Sequence, residues 1–170
     1  MSFARDGRED KYVAPYGRGG ESAERTVVVL VGLDGSDTSW AAFYWACGES
    51  RRVGGRIVAV FVTPDFVCLG ADVAIPGAPL TEYEATGNVA DRHAAQLRAE
   101  ALQNSAGLGV DLTFIHLCGD TAAEILGIAK AVHADQIVVG RSTKRRHRFA
   151  GALGRRLATK RDAPIVVIVP

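Results

Sequence analysis

The run TVVVLVGL, Thr26–Leu33, is an almost unbroken stretch of β-branched and aliphatic residues. Such a run suits a parallel strand covered on both faces, because a strand with one wet face alternates polar and apolar residues. Three more runs share this character: RIVAVFV (Arg56–Val62), QIVVG (Gln136–Gly140) and PIVVIV (Pro164–Val169). A fifth, VDLTFIHL, alternates Val110, Leu112 and Phe114 with Asp111 and Thr113, which predicts a less buried or edge strand.

Helical patterns separate these strands. DGSDTSWAAFYWACGESRR has Ser36 or Asp37 as cap and an apolar stripe of Ala41, Tyr44, Trp45 and Gly48. Trp40, Phe43 and Cys47 make this helix apolar around much of its circumference. The stretch from Thr63 to Thr81, with three prolines, reads as a long loop. A helix over Glu82–Ser105 follows, with Ala90, Ala94, Leu97 and Ala101 on one face. Thr121 and Glu124 match a capping box, and Ile125, Ala129 and Val132 form the stripe of the helix it opens. GALGRRLATKRD is a short helix before the last strand.

Strands alternating with helices predict right-handed βαβ crossovers. The expected fold is α/β, a single three-layer domain with a five-stranded parallel sheet in order 3-2-1-4-5 and helices on both faces. Five strands fit the doubly wound class, flavodoxin-like or adenine-nucleotide-hydrolase-like, in which ligands lie at the carboxyl ends of strands where strand order reverses. In that order the first and fourth strands are neighbours, ending at Asp34 and Gly140.

With 170 residues, 48% of them hydrophobic, the chain suits one domain with a real core. Residues 1–24 are polar and charged and read as a disordered leader, leaving 25–170 as the folded domain. No apolar run reaches the ~20 residues needed to span a bilayer. With no secretory signal, the expectation is a cytoplasmic protein without membrane contact. Cys47, Cys68 and Cys118 then read as reduced thiols, and the four histidines lack zinc spacing. The net charge of +1 hides an asymmetry. Residues 141–161 hold 9 of the 20 Lys/Arg and no acid, while the first 140 carry 11 basic and 18 acidic groups. An anionic partner is therefore expected near Arg141, Lys144, Arg145, Arg146 and Arg148.

Four marks, in order, resemble the universal stress protein family. They are VGLDGSDTSWAAFYWA at the end of strand one, GDTAAEIL at a strand-to-helix turn, HADQIVVG, and the closing APIVVIVP. The resemblance covers Thr26 to Pro170. It implies an adenine-nucleotide site in which Asp34 contacts adenosine, with Gly32, Leu33 and Val62 lining the pocket. It also implies a phosphate loop of the form G-x2-G-x9-G-(S/T) after strand four, where backbone amides and a helix N-terminus hold phosphate oxygens. Val139 precedes that loop and Gly140 matches its first glycine, but Thr143 stands at the second. Gly151 matches the third, with Ala152-Leu153 replacing the hydroxyl residue and its neighbour. Gly154 is the other alignment. Only ten residues separate Gly140 from Gly151, against twelve in the pattern. Losing two donors to a charged group costs roughly 3–6 kcal/mol, on the order of a hundred- to ten-thousand-fold in affinity. The loop is thus degenerate, and weak binding of AMP, cyclic AMP or ATP is the implied cofactor chemistry.

Each motif also has a plainer reading. Asp-Gly-Ser is good turn chemistry by itself, Gly32, Leu33 and Val62 can be plain packing, and the basic run can be a solvated face. Only Phe149 interrupts that run, so no aromatic interleaving points to nucleic acid, although another polyanion stays open. No G-x-S-x-G elbow or Walker loop is present. The expectation is a signalling or binding module acting in stress response, not an enzyme. An ATP-pyrophosphatase or electron-transfer-flavoprotein type is the remote alternative. The uncharged last strand would lie at a sheet edge, and the resemblance implies that Pro164–Val169 pairs with its copy in a homodimer.

Overall fold

The structure is a computed structural model that describes residues 26–64, 80–141, 152–159 and 164–170. Its elements are β1 (Val28–Gly32), α1 (Asp37–Val53), β2 (Arg56–Thr63), α2 (Leu80–Leu108), β3 (Leu112–Cys118), α3 (Thr121–Ala131), β4 (Gln136–Gly140), α4 (Ala152–Ala158) and β5 (Ile165–Val169). The five strands form one sheet in the order β3-β2-β1-β4-β5, and every adjacent pair is parallel. Among the described residues no helix is long and apolar enough to cross a membrane.

Strand alternation divides the core into two layers. Val29, Val31, Ile57, Ala59, Phe61, Phe114 and Val138 point to α1 and α2. Leu30, Val58, Val60, Ile115, Ile137 and Val139 point to α3 and α4. Central β1 is buried over its first four residues, which is why its sequence runs apolar without alternation. Edge strand β3 is half-buried at four of its seven positions, as its mixed pattern predicts. On α2, Ala94, Leu97 and Ala101 are buried, as are Ile125 and Ala129 on α3 and Val132 at its C-cap.

Three expectations are corrected. On α1 the buried face is Ser39, Ala42, Phe43, Ala46, Cys47 and Ser50, whereas Ala41, Tyr44, Trp45 and Gly48 are exposed. The stripe chosen from sequence lies on the solvent side. A helix that is apolar all round gives periodicity no unique face to select. The cap of α3 is Asp120, whose Oδ1 accepts from the Ala123 N–H at 3.0 Å, so Thr121 is already the first helical residue. Finally, the cysteines are not all free thiols. Cys118 is disulfide-bonded. Cys47 is free and buried, and burial pushes its thiol up to about 11.

Residues 1–25 and 142–151 lie outside the described set, and with them the leader, Thr143, Lys144, Arg145, Arg146, Arg148 and Gly151.

Candidate functional site

The turn from β1 into α1 is closed by its own side chains. Asp34 Oδ1 accepts from the Ser36 N–H at 3.0 Å and from the Ser36 hydroxyl at 2.6 Å. Ser36 is the N-cap, its Oγ accepting from the Ser39 N–H at 3.3 Å. Ser39 in turn donates its hydroxyl to the Ser36 carbonyl at 2.9 Å and accepts from the Asp34 N–H at 3.3 Å. Gly35 between them has φ +84°, a conformation that L side chains adopt at a cost. The turn reading of Asp-Gly-Ser is therefore realised in full, and it leaves Asp34 at the carboxyl end of the central strand.

Gly140, the last residue of β4, lies against the first turn of α1. A β-carbon at Gly140 would run into the Thr38 carbonyl and the Ser39 nitrogen. This backbone-on-backbone contact joins the Asp34 turn to the end of β4, where strand order reverses between β1 and β4. Exposed Arg141 follows, its N–H bonded to the Val169 carbonyl at 2.7 Å.

The remaining candidates are placed as follows. Gly32 faces Val139 and Ile125, and an added β-carbon would meet them at 3.3 and 3.4 Å. Leu33 and Val139 are core residues, 2% and 3% exposed, and do not present a surface. Val62 is half-buried on the α3 side of β2. Ala152 opens α4 and Leu153 packs on the same layer. Gly154 lies inside α4, buried against Ile168 of β5.

Part of the basic segment is already engaged. Arg156 of α4 forms a paired contact with Asp120 at 2.7 and 3.0 Å, fastening α4 to the cap of α3. The Arg156 guanidinium, followed by the Ala123 N–H, holds the Asp120 carboxyl below the usual carboxylate range. Arg155 is exposed.

Sequence reasoning missed the aromatic row beside this crevice. Phe61 of β2 stacks on His116 of β3 with centroids 5.1 Å apart and meets His93 of α2 edge-on at 5.4 Å. His116 Nε2 lies 2.8 Å from Thr63 Oγ1, and burial lowers its pKa against an opposing pull from Asp91. His93 Nε2 lies 3.4 Å from the Asp34 carbonyl oxygen. The period-2 alternation of β2 and β3 puts Phe61 and His116 on one face, but nothing local ties His93 to them.

A family model of the universal stress protein family matches residues 28–169. No curated protein sequence matches the chain. Among solved structures, the universal stress protein UspA from Lactobacillus plantarum is 23% identical, with a TM-score of 0.65, covering 87% of this chain and 100% of that one. A universal stress protein in complex with cAMP is 20% identical, with a TM-score of 0.58 and coverage of 85% and 96%. The universal stress protein from Archaeoglobus fulgidus in complex with dAMP is 18% identical, with a TM-score of 0.58 and coverage of 85% and 98%. Strand order, the two-sided core and a family match over residues 28–169 agree: the chain belongs to the universal stress protein family.

Proposed function

We propose that this protein is a binding module whose ligand is an adenine mononucleotide of the AMP or cyclic AMP class, held at the carboxyl ends of β1 and β4. The observation that carries the reading is the contact of Gly140 with Thr38 and Ser39, which joins the Asp34 turn to the end of β4 at the reversal of strand order. Relatives of the same fold have been solved with cAMP and with dAMP, which supports the ligand class. The phosphate loop departs from the family pattern at Thr143 and Ala152 and is two residues short. A ligand with one phosphate depends least on that grip, so ATP is the weaker ligand here. The module signals occupancy and does not turn the nucleotide over.

The reading includes a homodimer through β5. That strand pairs only with β4 among the described elements, and Ile165 and Ile168 are 67% and 53% exposed. An apolar edge of this kind is stable in water only when covered. Val167→Lys is expected to shift the protein to monomer or to insolubility, and an unchanged dimer in light scattering counts against the interface.

The test of the ligand begins with protein purified without added nucleotide, denatured, and any released molecule identified by mass spectrometry. Calorimetric titration with AMP, cyclic AMP and ATP follows. Saturable, adenine-dependent binding that Asp34→Ala abolishes supports the reading. Binding of any polyanion that collapses at high salt supports instead the basic segment 141–161 as the working surface.

A further inference from the structure

The row of rings beside the crevice reaches the backbone of the proposed nucleotide site at one point. His93 lies on α2, on the flank of the Ala94–Leu97–Ala101 face, and α2 comes from a different part of the chain than the β1–α1 turn. Three contacts of its neighbourhood converge on Asp34 and Gly35. Nε2 is 3.4 Å from the Asp34 carbonyl. A β-carbon on Gly35 would sit 3.1 Å from the His93 Cε1 and 3.2 Å from the Leu97 Cδ2, so α2 closes directly over the turn. The ring is fixed from its other side by the edge-on contact with Phe61.

We propose that His93 is a positioning residue of the nucleotide site, holding the Asp34–Gly35 turn from α2 by donating from Nε2 to the Asp34 carbonyl. The inference rests on the reading of the β1–β4 crevice as that site. The carbonyl oxygen can only accept, so the imidazole must carry its proton on Nε2. The Asp34 carboxylate stiffens the turn through Ser36, within the local sequence. His93 adds a polar contact that ties the turn to α2, beside the packing of Leu97. Without it, the turn loses the hydrogen bond that holds the Asp34–Gly35 peptide against α2.

The variants are His93→Phe, which keeps an aromatic ring on Phe61 but cannot donate, and His93→Gln, which donates without the ring. With cyclic AMP and AMP as calorimetric probes, His93→Phe is expected to weaken binding about 3- to 10-fold, the value of one hydrogen bond. His93→Gln is expected to stay within about twofold of wild type. Wild-type binding with an unchanged His93→Phe overturns the inference and leaves the site reading intact. Equal losses in both variants assign the effect to ring packing and overturn it too. A wild type that binds neither nucleotide overturns the site reading and the inference together. A ligand-free check uses the amide resonances of Gly35 and Ser36. At one fixed pH they are expected to move in His93→Phe and to stay near their wild-type positions in His93→Gln, and unmoved amides in His93→Phe contradict the contact.

Discussion

The two sides of the crevice are built in opposite ways. The β1 side is closed by its own sequence: Asp34, Ser36 and Ser39 bond one another within six residues, and the turn, the cap and the helix start form one unit. The β4 side is held by contacts between distant parts of the chain. Gly140 leans on α1, Arg141 bonds to the end of β5, and α4 is fastened to α3 through Arg156 and Asp120. A site needs one fixed reference to place a ligand, and the local side supplies it.

The strongest way to break this contrast is at the junction. Gly140→Ala drives a β-carbon into the backbone of Thr38 and Ser39, and backbone cannot step aside as a side chain can. A loss of about 2–3 kcal/mol is expected, seen as a fall in melting temperature of roughly 4–12 °C. An unchanged melting curve would separate the two sides.

Ser36→Ala tests the local side alone. It removes the helix cap and a hydroxyl donor to Asp34, and the expected cost is about 1 kcal/mol in a denaturant titration. A neutral result would mean that Asp34 closes the turn without the cap.

A smaller effect is expected from pH. Burial lowers the native pKa of His116, so below about 6.5 the unfolded chain takes up the proton in preference. Stability from this group is complete above that value and declines as pH falls through the window between the unfolded and native values. The urea midpoint should drop on acidification, and His116→Gln should flatten that part of the profile. At lower pH, Asp120 contributes in the same direction. Its carboxyl is depressed chiefly by Arg156, so its stabilisation is present above the usual aspartate range and is lost as pH falls through the native value.

Gly154→Ala is the smallest perturbation and the sharpest contrast with Gly140→Ala. The new β-carbon meets only the Ile168 side chain, at Cδ1 and Cγ1, which can rotate, and alanine improves the helix by up to about 1 kcal/mol. A net change within about 0.5 kcal/mol is expected.

The same contrast explains what could be read from sequence. The parallel strands follow from apolar runs alternating with helices, and the Asp34 turn from residues that bond within reach of one another. The buried face of α1 was not legible, since Trp40, Phe43, Tyr44 and Trp45 surround the helix and only the sheet decides which turn inward. The cap of α3 was misread because Asp120 and Thr121 are both good caps, and the geometry of the preceding turn chose the aspartate. The Arg156–Asp120 contact and the approach of His93 to Asp34 join residues far apart in the chain, and no spacing rule encodes them.

The most direct test of the central claim is a calorimetric titration of cyclic AMP into wild type and Asp34→Ala at low and high salt. Saturable binding that survives high salt in wild type and is lost in Asp34→Ala is the predicted result. Binding that is equal in both proteins and vanishes with salt would contradict it, and would move the ligand from the β1–β4 crevice to the basic segment.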